Sequence, residues 1–370
     1  MFPYLIDVAL TAWISSAILN QYDANGIEQF QNERKRKMLL GLILLFWVLL
    51  YAFRGWTGSD SIVYWGNYKN ISNHNLLLND LFNSYRDKLF QVVSFYCSRI
   101  SNGSWLFFCL VLGFLTYGPI VRVILKKSPD VNFSCLLYIF TLSSFYGFNG
   151  VRQGLSIGFC CLAYYCCLTE KKYIRYAVLM FIAYGFHAAS LLIIPFHLIS
   201  LKKLKSVSTI LIIIFAFVAS FFLVSIWGNV LDIFAGDNLV SDYDEIFVNA
   251  HGSSIIRVFF WGAPVVLAFI HYSATQKRFP EIDRDLILSL FGLVFMLYST
   301  QSSNFSQMAP YFNFSTMLFI PKVVRSIPSD SKGLLKGIIL GIAFVYMLFM
   351  LWNGDLGINP YIPIWESGSY

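Results

Sequence analysis

The sequence predicts an all-α fold, a polytopic transmembrane helical bundle, and three observations carry that expectation. Hydrophobic residues make up 57% of the 370-residue chain and charged residues only 13%, at a mean hydropathy of +0.62. A soluble domain carries roughly a quarter charged residues, so this balance points to a chain that lives in lipid. Apolar stretches of roughly 15–22 residues, close to the ~20 that cross a bilayer, recur along the whole length. Between them the basic residues gather in short runs: Arg34 to Lys37, Lys126/Lys127, Lys171/Lys172/Arg175, Lys202/Lys203/Lys205, Lys277/Arg278/Arg284 and Lys322/Arg325/Lys332/Lys336. In a soluble protein the formal charge of +7 would speak for nucleic acid. In a chain this apolar it speaks for topology, because basic loops stay cytoplasmic, and no nucleic-acid partner is expected.

Taken in order, spans are expected near 3–20, 38–53, 104–125, 131–147, 151–168, 173–186, 187–201, 206–227, 255–274, 286–300, 307–324 and 335–352. That makes about 12 spans with both termini outside, in a single integral membrane domain over residues 1–370. The first stretch lacks a charged n-region and a small-residue cleavage site and holds Asp7, so it reads as a retained helix rather than a signal peptide. Segment 88–100, KLFQVVSFYCSRI, is amphipathic and too short to span, which makes it an interfacial or re-entrant helix.

Three apolar stretches are flanked by basic residues at both ends and so must enter and return. Residues 131–168 turn at Gly147–Arg152, and residues 173–201 turn near Gly185–His187, although arms this short also suit a partly re-entrant pair. Residues 286–324 turn at the polar apex Thr300–Gln307. The three bends then share the outer face with the loops 54–88 and 228–253. There is no internal repeat, hence no support for an inverted-repeat transporter plan. The cysteines lie almost all inside expected spans and imply no disulfide framework. Cys160/Cys161 and Cys166/Cys167 fit zinc-ligand spacing poorly and read as small hydrophobes. In the outer loop 228–253, Asp232, Asp237, Asp242, Asp244 and Glu245 are too loosely spread for a calcium loop and suit solvated surface or sugar contact.

A few polar residues stand out against this background. Arg54 sits in FRGWTGSDSIVYWGNY, residues 53–68, with Gly55 and Gly58 beside it. It can hold a phosphate by its planar, permanently charged fork, or simply snorkel among aromatic anchors. Asp60 follows where a carboxylate can orient a sugar hydroxyl or take its proton. Arg152, in FNGVRQGLS (residues 148–156), is bracketed by Gly150 and Gly154 in a tight turn, and an interfacial anchor is again the rival reading. His187, in GFHAASLLIIP (residues 185–195), is either a core or capping histidine or a general base near neutral pH. Tyr311 and Gln307, near the third bend, also suit an aromatic belt.

The order RGWTGSDSIVYWGNY, FYGFNGVRQGLSIGF, KKYIRYAVLMFIAYGFHAASLLIIPF and MAPYFNFSTMLFIP (residues 54–68, 145–159, 171–196 and 308–321) resembles the EpsG-like branch of Wzy-type polysaccharide polymerases. The resemblance covers nearly the whole chain, and its most specific parts are the Arg152 and His187 blocks. There are two departures. Members often carry a Glu-x-Gly-Phe-like block where this chain has Asp87-Lys88-Leu89-Phe90, and an arginine where it has Gln307.

The resemblance implies a bacterial inner-membrane glycosyltransferase of the GT-C type, metal-independent and without a cofactor, working at the periplasmic face. It would transfer the growing glycan from undecaprenyl diphosphate to the non-reducing end of an incoming lipid-linked repeat unit. Arg54 and Arg152 would hold the diphosphate, with Gln153, Tyr64 and Tyr311 as further substrate contacts. His187, or Asp60 if the histidine lies too far away, would deprotonate the acceptor hydroxyl. Membrane lipids and a chain-length regulator are the other expected partners. The rivals are an O-antigen ligase with a lipid A core acceptor, and a lipid-linked oligosaccharide flippase. A flippase should place cations through the membrane depth, where each costs on the order of 3 kcal/mol, whereas these cations lie at loops and bends, with Arg257 and Arg122 the closest to exceptions.

Overall fold

The computed structural model describes residues 1–17, 21–22, 28–29, 33–73, 78, 81, 87–204, 211, 254–300 and 303–367. These are almost wholly helical, apart from a two-residue antiparallel pairing of Gln21–Tyr22 with Glu28–Gln29. In chain order the helices are α1 (Phe2–Ser16), α2 (Glu33–Ala52), α3 (Ser61–Asn73), α4 (Lys88–Ser101), α5 (Trp105–Lys127), α6 (Val131–Phe140), α7 (Tyr146–Asn149) and α8 (Val151–Cys166). They continue with α9 (Tyr173–Phe186), α10 (Ile194–Ser200), α11 (Ile255–Ile270), α12 (Tyr272–Arg278), α13 (Ile282–Ser299), α14 (Pro310–Ser326), α15 (Ser329–Trp352) and α16 (Ile364–Ser367). Caps place several of the starts. Ser104 accepts from Phe107 N (3.3 Å) at the start of α5, and Asp130 accepts from Phe133 N (2.9 Å) at the start of α6. Lys126 and Lys127 close α5 where the helix dipole is negative.

The described residues fall into two compact units, Met1–Leu191 with Gly333–Tyr370, and Leu192–Lys332. In the first, α8 packs against both α5 and α9, α5 also against α2, and α1 against α2 and α6. Close approach to α8 depends on missing side chains. A Cβ on Gly158 would stand 2.8 Å from the Thr116 carbonyl oxygen of α5, and one on Gly154 would stand 2.7 Å from Gly147 Cα. The second unit is centred on α13 and α14, with the Phe196 ring of α10 lying 4.6 Å from Phe291 and 5.2 Å from Phe312. Lys322 on α14 is buried against Asp285 on α13 at 2.8 Å, and it also meets Glu281 at 3.1 Å.

Among the described residues three helical stretches are long and apolar enough to cross a membrane: Trp105–Lys127, Val151–Glu170 and Asp330–Trp352. α11 and α12 add a fourth if counted as one span, but they are bent by 75°. On α15 the exposed side chains Leu334, Ile338, Ile342, Val345 and Phe349 recur every three or four residues, forming one apolar stripe. Water would not tolerate such a stripe, and lipid does.

Several expected elements are resolved differently. The span expected at 131–147 is a ten-residue helix, α6, followed by a turn and the four-residue α7. The span expected at 187–201 is a 3-10 segment, Ala188–Ile193, running into the seven-residue α10. The expected loop 54–88 contains α3, and segment 88–100 is the helix α4 with Phe90, Gln91, Ser94, Cys97 and Ser98 on its buried side. The expected span 206–227 falls outside the described residues except for residue 211, and the loop 228–253 lies wholly outside them. The residues that interrupt these helices carry polar or glycine breaks, which composition windows average away.

Candidate functional site

The site is built on the turn that joins α6 to α8. A turn packed among helices must find donors for its carbonyls, because no bulk water reaches them. Side chains supply those donors, Ser61 Oγ among them with Phe148 O at 3.3 Å. Tyr117 donates to Ser144 O (2.7 Å) and Tyr51 to Gly147 O (3.2 Å). Arg54 Nη1 donates to Phe148 O and, at 3.5 Å, to Gly147 O. The guanidinium also lies over the Tyr51 ring, 4.0 Å from its centroid.

Arg54 is 0% exposed. With no open surface, the guanidinium supports the turn through Nη1, while its Nε and Nη2 are buried without a hydrogen-bond partner among the described residues. The strand-like strap around it is tied to the C-terminal segment, with Gly55 N donating to Ile362 O (2.7 Å) and Ile364 N to Phe53 O (2.8 Å). Gly58 has a φ of +100°, and a Cβ there would fall 2.5 Å from Phe148 O. Only glycine fits both demands. Asn149 completes the lacing, accepting from Ser59 Oγ (2.9 Å) and Asp60 N (3.0 Å).

The turn so held delivers Arg152 at the start of α8. Its Nη1 donates to Asp87 Oδ2 at 2.7 Å and its Nε to the Tyr64 hydroxyl at 3.3 Å, while its side chain stays 37% exposed. Asp87 directly precedes α4 in a left-handed conformation, φ 58°. Its second oxygen accepts from Ala188 N (3.3 Å), and its Oδ2 lies 3.9 Å from His187 Nδ1. His187 ends α9 as its C-cap, with extended backbone, rather than starting a helix. The Nδ1 atom is buried and makes no hydrogen bond among the described residues, while a quarter of the side chain is open. α9 reaches this position because Gly185 rests on Leu89 of α4, where a Cβ would stand 2.7 Å from Leu89 Cβ.

Beside Arg152 lies a cavity of about 390 Å³ between α3, α4 and α5. Asp60, Asn67, Gln91 and Ser94 supply polar walls, and Tyr64, Tyr68, Phe90 and Phe108 supply aromatic ones. Tyr68 stacks on Phe108 at 4.2 Å, which stiffens that wall. Aromatic faces with interleaved hydrogen-bonding groups match a sugar ring, which offers C–H faces and hydroxyl edges.

The expected residues therefore divide. Arg152, Tyr64 and Asp60 line one cavity, and His187 reaches the same cluster through Asp87. Gln153 is turned away: it is 6% exposed and its Oε1 accepts from the Tyr146 hydroxyl at 2.9 Å, so it braces the turn rather than offering itself to a ligand. Tyr311 is 4% exposed on α14, in the second unit. Asp87 was not among the expected site residues. Its signal was an acid in the block compared with Glu-x-Gly-Phe, and reading that block as a departure hid it. Gly154–Gly158 also spells Gly-x-Ser-x-Gly, but Ser156 is 0% exposed inside α8 and the glycines serve helix packing, not a strand–turn–helix elbow.

No curated protein and no solved structure matches the chain. The model of the EpsG family matches residues 37–362, a span that takes in the strap, the turn, the Asp87 block and His187. By that match over most of its length, the chain belongs to the EpsG family.

Proposed function

We propose that this protein is a polysaccharide polymerase of a bacterial inner membrane, a metal-independent glycosyltransferase of the GT-C type. It transfers a glycan from undecaprenyl diphosphate to a lipid-linked repeat unit at the periplasmic face. Membership of the EpsG family supports a polymerase-like activity in polysaccharide synthesis, and the apolar helices suit a membrane protein. The observation that carries the reading is the half-open Arg152, fixed by Asp87 and Tyr64 at the wall of a cavity with polar and aromatic sides.

Each group has a task in that reaction. The bonds to Asp87 and Tyr64 use Arg152 Nη1 and Nε, so the fork is held in orientation while its exposed edge faces a ligand phosphate. As the anomeric carbon–oxygen bond to the diphosphate breaks, the electron pair stays on the phosphate oxygen, and Arg152 stabilises that charge. The acceptor hydroxyl forms the new bond to the anomeric carbon and gives its proton to His187. Asp87 behind Nδ1 orients the imidazole and favours the cation it becomes, in the base-and-orienter logic of activated nucleophiles. The 3.9 Å gap between them is long for a hydrogen bond, as such pairs often are before substrate closes them.

A second assignment of the base has its own support, because Asp60 lines the cavity beside Arg152. The test is to incubate pure protein with lipid-linked repeat units and read the glycan lengths. A ladder is expected. A single capped product would indicate a ligase, and no new glycosidic bond would leave the flippase. A ladder from His187→Ala together with none from Asp60→Asn would pass the base to Asp60.

A further inference from the structure

At the junction of α8 and α9 in the first unit, three lysines converge on one carboxylate. Lys126 Nζ lies 2.6 Å from Glu170 Oε1, Lys127 Nζ 2.9 Å from the same oxygen, and Lys172 Nζ 2.8 Å from Oε2. One carboxylate neutralises one ammonium, so among the described residues the knot keeps two uncompensated positive charges. The ammonium groups cannot separate to relieve this, because each is anchored to Glu170. Lys171, exposed in a left-handed turn, and Arg175, exposed one turn into α9, add to the excess. α9 begins here with Lys172 as its N-cap, no side-chain cap and no acid in its first turn, so its free N–H groups point the same way.

The surface that continues from this knot is apolar. On α9, Tyr173, Ile174, Val178 and Phe181 are 62%, 83%, 54% and 73% exposed. A group with a negative head and hydrocarbon chains satisfies both surfaces at once, and a small anion satisfies only the first. We infer that the lysine knot around Glu170 and the α9 face beyond it form a binding site for an anionic phospholipid, with its phosphodiester on Lys126, Lys127 and Lys172 and its acyl chains along Ile174 and Phe181. Glu170 acts as the template that holds the ammonium groups in register. The site is separate from the proposed polymerase chemistry and does not depend on it. Basic pockets of this kind at the ends of membrane helices attract headgroups by charge, at a strength that salt weakens.

The test is native mass spectrometry of the full chain released from nanodiscs holding equal amounts of phosphatidylglycerol and phosphatidylcholine with the same acyl chains. The parent protein should retain phosphatidylglycerol at least about 10-fold over phosphatidylcholine, a difference of about 1.4 kcal/mol. The preference should collapse in the Lys126→Gln/Lys127→Gln/Lys172→Gln variant and on raising the salt. Ile174→Gln should weaken retention with the basic cluster untouched. Equal retention of the two lipids by the parent protein, which needs no variant to fold, overturns the proposal. So does binding of glycerol phosphate without acyl chains as tight as that of the lipid, which would make this a site for a free anion.

Discussion

Two ion pairs of nearly the same length sit in different surroundings. Arg152 and Asp87 in the first unit meet at 2.7 Å, and Lys322 and Asp285 in the second at 2.8 Å. The Lys322 and Asp285 side chains are 4% and 2% exposed, and Glu281 also meets the ammonium, at 3.1 Å. Arg152 is 37% exposed, with a cavity on one side and His187 behind its partner. The comparison teaches that the pairing of opposite charges does not by itself mark function. A closed pair has its bonding capacity used up and holds helices together. An open pair keeps an edge of its cation for something else.

The largest effects should come from the open region and appear in rate alone. A positioned base contributes about 10²–10⁴-fold, so His187→Gln should remove most polymer while leaving expression and thermal unfolding at parental values. A glutamine variant that builds a parental ladder breaks the functional half of the comparison. The closed pair should answer in the opposite currency. Lys322→Met strands a buried carboxylate, and breaking a buried pair in this way costs about 3–5 kcal/mol. Thermal unfolding in detergent should fall accordingly, and adding Asp285→Leu should recover most of the loss. If the single variant unfolds at the parental temperature, the pair is not a structural clamp.

Arg152→Lys sharpens the contrast, since the charge stays and the fork goes. Loss of one stabilising donor lowers turnover by about 10²–10³-fold, with little change in unfolding, as read from ladder formation and a melting curve on the same sample. Gly58→Ala probes the support beneath. It adds a Cβ into Phe148 O at a positive φ, and overpacking of this sort costs about 1–3 kcal/mol. Both stability and rate should fall together, whereas a variant altered in neither would free the turn from the strap.

The smallest effect should be that of Glu281. Burial pushes its carboxyl up, but the nearby Lys322 ammonium outweighs this and holds it below the usual carboxylate range. A lowered value in the folded state means the stabilisation is present above the ordinary glutamate range and is lost as pH falls through the depressed one. Glu281→Gln should therefore narrow the difference in unfolding temperature between neutral and acidic pH. With its side chain 43% exposed, the shift should be modest beside that of Lys322→Met.

Composition and charge spacing by themselves determined the class of this chain: apolar helices, basic loops between them, and polar bends at Gly147–Arg152 and Gly185–His187 worth attention. Those are local properties, set by what each stretch of side chains does in lipid or water. The polar breaks in those stretches also singled out Arg152, His187 and Asp60, while Tyr64 came only with the family resemblance. Tertiary structure alone decided what each does. Arg54 and Arg152 look alike in sequence, each beside glycine near an expected outer face, yet one is sealed against backbone carbonyls and the other is half open. The same decision turned Gln153 back onto Tyr146 and made Asp87 the meeting point of α4, α8 and the end of α9. Exposure and third partners depend on residues about 65 to 100 positions away in the chain, and no local pattern records which of them will arrive.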